Sequence, residues 1–221
     1  MAPPFILTDF GFTVSRLTCV SDAGEEIEQA VREALTRADL VVTTGGLGPT
    51  SDDRTRDRIA SLLGRKLVVN DAVLDRIKNW FCGRKRPMPE STAVQAQVPE
   101  EALVLLNEHG TAPGLVMHVP AGRFRSCESW LVMLPGPPRE LRPMFDHQVV
   151  PWMRSQLPAA SAFVCRTIKT SGIGESRVEE IIAPWLARLI SEGLEIGYCA
   201  RTGEVDVRLT ARGCDATRRP P

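Results

Sequence analysis

Leu40-Val41-Val42-Thr43-Thr44-Gly45-Gly46-Leu47-Gly48-Pro49-Thr50-Ser51-Asp52-Asp53-Arg54-Thr55 decides how this chain folds. The first residues are β-branched and apolar, the composition of a buried strand, and they run without a spacer into glycines. Glycines directly after a strand let the backbone turn tightly and aim amide N–H groups at an anion. In doubly wound sheets, the crevice at the carboxyl ends of the strands is where ligands bind. A second reading stays open beside this one. Thr50 and Asp53 have the spacing of a capping pair for a following helix, and glycines turn chains in many settings without binding anything.

Upstream of this stretch, Thr13 to Val20 has the β-rich composition of a strand. Asp22 and Glu25 then stand at capping-box spacing before a helix carrying Ile27, Ala30, Val31, Ala34 and Leu35. Downstream, the apolar spacing predicts one helix through Ile59, Leu62 and Leu63. A second is predicted through Val73, Leu74, Ile77, Trp80 and Phe81. The basic, proline-bearing residues Gly83 to Pro89 read as a loop. Strand-like runs follow at Ala102–Leu106, Leu115–Val119 and Trp130–Leu134. The last stops at Pro135-Gly136-Pro137-Pro138, where a helix can restart because proline suits a first turn. Strands alternating with helices predict an α/β domain over residues 1–158 built on a mostly parallel, doubly wound sheet.

Leu157 to Ser161 reads as a linker, and the pattern beyond it changes. A strand (Phe163–Thr170) precedes a helix with Val178, Ile181, Ile182, Trp185, Leu186 and Leu189 at helical spacing; Pro184 is expected to kink it. Glu195–Ala200 and Glu204–Ala211 form a hairpin around Thr202-Gly203, the second strand alternating as Val205, Val207, Leu209. Residues 159–213 are therefore expected to form a small α+β appendage, and 214–221 a disordered tail.

Composition removes several classes of function. The chain is 43% hydrophobic and 24% charged, ordinary for a globular protein. Lys plus Arg and Asp plus Glu each number 27, so no global charge draws it to nucleic acid or an anionic membrane. Runs such as Trp130-Leu131-Val132-Met133-Leu134 are too short to span a bilayer. Met1-Ala-Pro-Pro-Phe5 lacks the features of a signal peptide. The six cysteines are scattered without a Cys-x-x-Cys pair, which speaks against a disulfide framework or thiolate metal site. The three histidines are equally dispersed. A cytoplasmic protein with neither nucleic acid nor membrane as partner is expected.

Two further glycine loops accompany the first: Asn107-Glu108-His109-Gly110-Thr111-Ala112-Pro113-Gly114 and Leu134-Pro135-Gly136-Pro137-Pro138-Arg139-Glu140-Leu141. Each alone is a turn. Three at strand ends, joined to the paired acids Asp52 and Asp53, are better explained by a phosphorylated ligand.

The order T-G-G-L-G-P-T-x-D-D-x-T, then N-x-x-G-T-A-P-G, then L-P-G-P-P-x-E-L resembles the CinA branch of the MoaB/Mog molybdopterin-binding superfamily. Arg86-Pro87-Met88-Pro89-Glu90-Ser91 with Gln95-Ala96, and the later Gly172-Ile173-Gly174-Glu175-Ser176, Glu195-Ile196-Gly197-Tyr198 and Gly203-Glu204-Val205, fit as well. The resemblance runs from about Leu7 to Gly213. It implies a MoaB/Mog-type fold and a hydrolase of nucleotide diphosphates such as ADP-ribose. It also implies a divalent metal (magnesium or cobalt), possibly potassium, and a homodimer. Carried over by position, Asp53 is the functional carboxylate and Asp52 its neighbour for metal or water contact. Gly45, Gly46, Gly48, Thr50, Asn107, Gly110, Thr111, Ala112, Gly114, Gly136, Pro137, Pro138 and Glu140 would line the phosphate site. Alternatives within the resemblance are binding or nucleotidyl transfer to molybdopterin, and a truncated, non-catalytic nucleotide-binding fragment. The family opens with a strand and a Gly-Thr-Glu-Leu turn, whereas this chain starts near the end of the helix that follows them. The first βα unit is thus expected to be missing, as is the amidohydrolase that relatives carry downstream. Gly172-Ile173-Gly174 is not the G-x-x-G clamp of an RNA-binding KH module, so a packing or dimer role is expected for the appendage.

Overall fold

A computed structural model describes residues 12–157 and 163–213. The expected tail at 214–221 lies outside the described residues, and so does the expected linker Leu157 to Ser161 beyond its first residue. Contacts divide the chain after Gln156 into two compact units, each with its own core.

In the first unit, α1 (Gly24–Leu35) buries Ile27, Val31 and Leu35, one stripe at four-residue spacing. Glu25 and Glu26 in its first turn and Arg32 in its last complement the helix dipole. Its start corrects the expected Asp22–Glu25 box. Ala23 is the flanking residue and makes no side-chain cap bond. Instead the Ser21 hydroxyl and amide donate to Glu26, at 2.7 and 3.3 Å. Thr13–Val20 is not a strand. It is mostly exposed, and β-rich composition makes no strand without a partner edge.

β1 (Leu40–Thr44) leads to α2 (Thr55–Leu62), β2 (Leu67–Val69) and α3 (Asp71–Cys82), the last capped by the Asn70 side chain accepting from the Val73 amide at 3.1 Å. A 3₁₀ segment (Glu90–Ala96) precedes β3 (Gln97–Pro99), β4 (Leu103–Leu105), β5 (Gly114–Val119) and β6 (Ser129–Leu134). A continuous helical run closes the unit: α4 (Pro138–Met144), one π turn (Phe145–Val149) and α5 (Val150–Gln156).

The α/β architecture is as expected, but the described sheet is mixed. Its order is β1-β6-β5-β4, with β1 parallel to β6 and the other two pairings antiparallel. The segments joining β4 to β5 and β5 to β6 are shorter than the dozen or so residues a parallel crossover needs, so these strands fold back on one another. β2 and β3 pair antiparallel as a separate ribbon, which three-residue strands do not announce by periodicity. Leu131 to Leu134 of β6 are all fully buried, because α1–α3 cover one face of the sheet and the Leu141–Val149 residues share the burial. A strand covered on both faces reads as an unbroken apolar run.

The second unit is the expected α+β type. β7 (Phe163–Ser171), α6 (Glu175–Ser191), β8 (Glu195–Arg201) and β9 (Glu204–Arg212) form an antiparallel sheet ordered β7-β9-β8. Val178 of α6 packs on Val205 and Val207, the alternate residues of β9, with Ile182, Ile196, Tyr198 and Leu209 around them. The helix runs on through Pro184.

Candidate functional site

Strand direction brings the three glycine loops to one end of the sheet. β1 and β6 run parallel and end together at Thr44 and Leu134. β5 runs the other way, so it starts there, with Leu115 beside Met133. The Gly45 amide donates to the Leu134 carbonyl at 2.9 Å, and a Cβ on Gly136 would stand 3.4 Å from the Gly45 Cα. Gly45 and Gly46 have φ of +93° and +69°, left-handed values that favour glycine.

The second loop is closed by its own side chains. Asn107 is buried and donates from Nδ2 to the Ala112 carbonyl and to Glu140 Oε2, both at 2.9 Å. Its Oδ1 accepts from the His109 amide at 2.9 Å, and its carbonyl accepts from Arg76 Nε of α3 at 3.1 Å. Glu140 at the start of α4 is 8% exposed, and its carboxylate occupies the space a side chain on Gly110 would need. Gly110, Ala112 and Gly114 are buried, and Thr111 is half-buried. Gly136, Pro137 and Pro138 are exposed. Asn107 and Glu140 thus hold the second and third loops together, while Gly45, Gly46 and Gly48 of the first are half-buried.

Asp53 and Thr50 are bonded to each other, yet they do not cap α2. The helix begins at Thr55 with Arg54 as its flanking residue, and Arg54 makes no side-chain cap bond. Asp53 Oδ2 accepts from the Thr50 amide at 3.1 Å and from the Thr50 hydroxyl. The Asp53 amide closes the same turn on the Thr50 carbonyl at 3.0 Å. Gly48 lies under this carboxylate, without room for a Cβ. Asp53 Oδ1 accepts no hydrogen bond among the described residues. Asp52 is exposed, and its carboxyl is held below the usual range first by the Thr50 hydroxyl, then by its own amide and weakly by Arg54. A hydroxyl carries one proton, and the contact with hydrogen-bonding geometry is the one to Asp53. We therefore assign that proton to Asp53 and read Asp52 as the less restrained carboxylate.

Beside this turn is a cleft of about 630 Å³, lined by Gly48, Thr50, Ser51 and Asp53 and by Arg54, Arg56, Asp57 and Arg58. Arg56 is 3% exposed. Its Nη1 donates to the Val94 carbonyl of the 3₁₀ segment at 3.0 Å, and its Nε and Nη2 lie 2.9 and 2.7 Å from Asp57 Oδ1. Arg58 lies across Gly24 and pairs with Glu28 of α1 at 3.3 Å. Gln95, also buried, donates to the Leu47 carbonyl at 3.3 Å and steadies the first loop from behind. Gln95 belonged to the expected motif without a role. The part played by Arg56 was invisible, since nothing local distinguishes a buried arginine from an exposed one.

Among the described residues, no three His, Cys, Asp or Glu are grouped to hold a metal ion. Asp53 lines the cleft with one oxygen accepting no hydrogen bond among the described residues, and its neighbour Asp52 is exposed and is not among the lining residues. That fits the way magnesium is usually bound, through one or two carboxylates with substrate phosphate and water completing the shell.

Fold and loop geometry define a molybdopterin-binding type of α/β domain. Residues 6–155 match the family described as "Probable molybdopterin binding domain", and residues 165–219 match "Damage-inducible protein CinA KH domain". The chain belongs to the CinA family. A CinA-like protein of Akkermansia muciniphila is 44% identical over 203 residues, 92% of this chain and 47% of the relative. A putative competence-damage inducible protein of Geobacillus kaustophilus is 40% identical over 209 residues, 95% of this chain and 48% of the relative. The chain thus spans about half the length of these relatives. The crystal structure of CinA from Thermoplasma acidophilum, titled as of unknown function, superposes with a TM-score of 0.56 at 32% identity. It covers 68% of this chain and 81% of that one. Among the described residues, no helix is long and apolar enough to cross a membrane.

Proposed function

We propose that the chain hydrolyses a nucleotide diphosphate of the ADP-ribose kind, with Asp53 as the functional carboxylate and Asp52 as its neighbour. The observation that carries this reading is the tethered Asp53. Thr50 holds Oδ2, Oδ1 has no partner among the described residues, and the side chain lines the cleft beside the glycine loop. A capping carboxylate would point at helix amides, and this one does not. With the Gly45 amide engaged by the Leu134 carbonyl, the loop amides from Gly46 to Gly48 and the exposed backbone at Gly136 supply neutral donors for phosphate oxygens. A magnesium ion held by Asp53 and Asp52, when bound, would neutralise the diphosphate and ready a water for attack. The tether keeps Asp53 in one orientation, so little ordering is needed when substrate arrives.

A second reading has the family description in its favour: the same loops would hold the phosphate of a pterin. The experiment is AMP release from ADP-ribose at saturating magnesium, for wild type and Asp53→Asn, with a melt of each and binding of molybdopterin measured alongside. Asparagine keeps the acceptor for Thr50, so the melt should hold. Loss of the charge should lower turnover by about 100-fold or more, because metal assistance is worth several kcal/mol of barrier. Turnover within about threefold of wild type would remove Asp53 from this role. Molybdopterin binding by a wild type that releases no AMP would favour the second reading.

A further inference from the structure

We infer that the free edge of β1 takes up residues 13–20 of a second copy of this chain, so that two copies exchange strands. The inference does not depend on the hydrolase reading.

Among the described residues β1 stands at one end of the sheet order, with β6 on its one paired side. An edge strand presents a row of unpaired N–H and C=O groups, which proteins blunt with lysine, proline, a bulge or a very short strand. The opposite edge is blunted in this way, since β4 has three residues. β1 has five, Leu40 to Thr44, with neither lysine nor proline among them. Its apolar surface is also incompletely covered. Val41 is buried in the cluster that holds Val31 and Leu35. Leu40 and Val42, on the other face, are half-buried, whereas Val132 beside Val42 in β6 is fully buried.

The chain also carries a strand-like sequence that has no edge. Residues 13–20 pair with no strand among the described residues, and Leu17 and Val20 are 65% and 41% exposed. One helix, α1, separates this segment from β1, yet the two are not paired within one copy. The turn between segment and helix is held in place, because the Ser21 hydroxyl and amide both donate to Glu26. An unfilled edge and an unplaced strand in the same chain satisfy each other across two copies, and a two-fold axis makes the exchange twice.

Laid parallel to β1 with Arg16 beside Asp39, the segment matches the edge in charge and in apolarity. Leu17 then stands beside Leu40 and Cys19 beside Val42, on the half-covered face. Thr18 and Val20 fall on the face of Val41 and Thr43. Asp39 can take part because its side chain is 82% exposed and Arg125 engages one of its two oxygens. Each copy contributes the eight residues of the segment and the five of β1. That is fewer than the roughly 20–30 a side of a standard interface, so the dimer is weak, with a dissociation constant on the order of micromolar. β1 runs directly into Gly45, so a strand on its free side steadies the element from which the first glycine loop hangs.

The test is sedimentation of wild type and of a Leu17→Pro, Thr18→Pro double variant from about 1 to 100 µM, with a melt of each. Wild type should pass from monomer to dimer over this range. Both substituted positions are exposed, and adjacent N–H groups point to opposite sides, so one of the two donors lost is a ladder donor. The dimer should weaken about tenfold or more at an unchanged melting temperature. A second variant, Val42→Cys, sets a thiol beside Cys19 of the other copy. Mild oxidation should give a dimer whose linked peptides join position 42 of one copy to Cys19 of the other. Wild type that stays monomeric at about 100 µM, or a dimer untouched by the two prolines, would overturn the inference. So would a link from position 42 to Cys19 in a protein that stays monomeric, since the segment would then close on its own β1.

Discussion

The glycines of the two units do different work. In the first unit, a side chain at Gly46 would strike Thr55, one at Gly48 would strike the Asp53 carboxylate, one at Gly110 the Glu140 carboxylate, and one at Gly114 the Met144 sulfur. In the second unit, Gly172, Gly174, Gly193, Gly197 and Gly203 have nothing within 4 Å of where a Cβ would sit. Gly172, Gly193 and Gly203 there have positive φ, so they serve local turns, whereas Gly46, Gly48 and Gly110 let site side chains touch backbone. A glycine in a motif is therefore informative in proportion to what stands beside it.

The largest test of that contrast is Gly46→Ala. It combines a φ of +69° with a Cβ driven into the Thr55 side chain and 3.1 Å from the Thr55 amide. The change should destabilise the first unit by about 3 kcal/mol or more, read as a lower urea midpoint at constant slope. An unchanged midpoint would show that the loop relaxes freely and that close approach does not govern this end of the sheet.

Gly48→Ala sharpens the comparison, because its φ is not in the left-handed region and only the Asp53 carboxylate is in the way. The expected outcome is a split: stability lowered by about 1–2 kcal/mol, with turnover of ADP-ribose lowered by about tenfold or more. Equal, small losses in both would mean that Asp53 shifts without consequence. The smallest effect is expected for Gly197→Ala in β8, where space is open and strand glycine is unfavourable. Stability there should stay level or rise by about 0.5 kcal/mol. A clear loss would mean that something covers this position in solution.

Much of the fold was legible because burial of one face imprints a period. The stripe Ile27, Val31, Leu35 marked α1, and alternation at Val205, Val207, Leu209 marked β9. The misreadings came where no such imprint exists. Thr13–Val20 has strand composition without a partner, and β2 and β3 are three residues long. The Thr50–Asp53 spacing was legible as well, but spacing does not say whether the carboxylate turns towards a helix or towards a cleft.

The sequence by itself determined the elements with strong periodicity, the positions of the three glycine loops, the paired acids and the family. Tertiary structure alone decided that β5 reverses against β6, that Asn107 and Glu140 clasp two loops 33 residues apart, and that Arg56 is buried against the Val94 carbonyl. The reason is physical. Local pattern records which face of an element is hidden from water, whereas the partner that hides it is chosen by contacts distant in sequence, which leave no period behind.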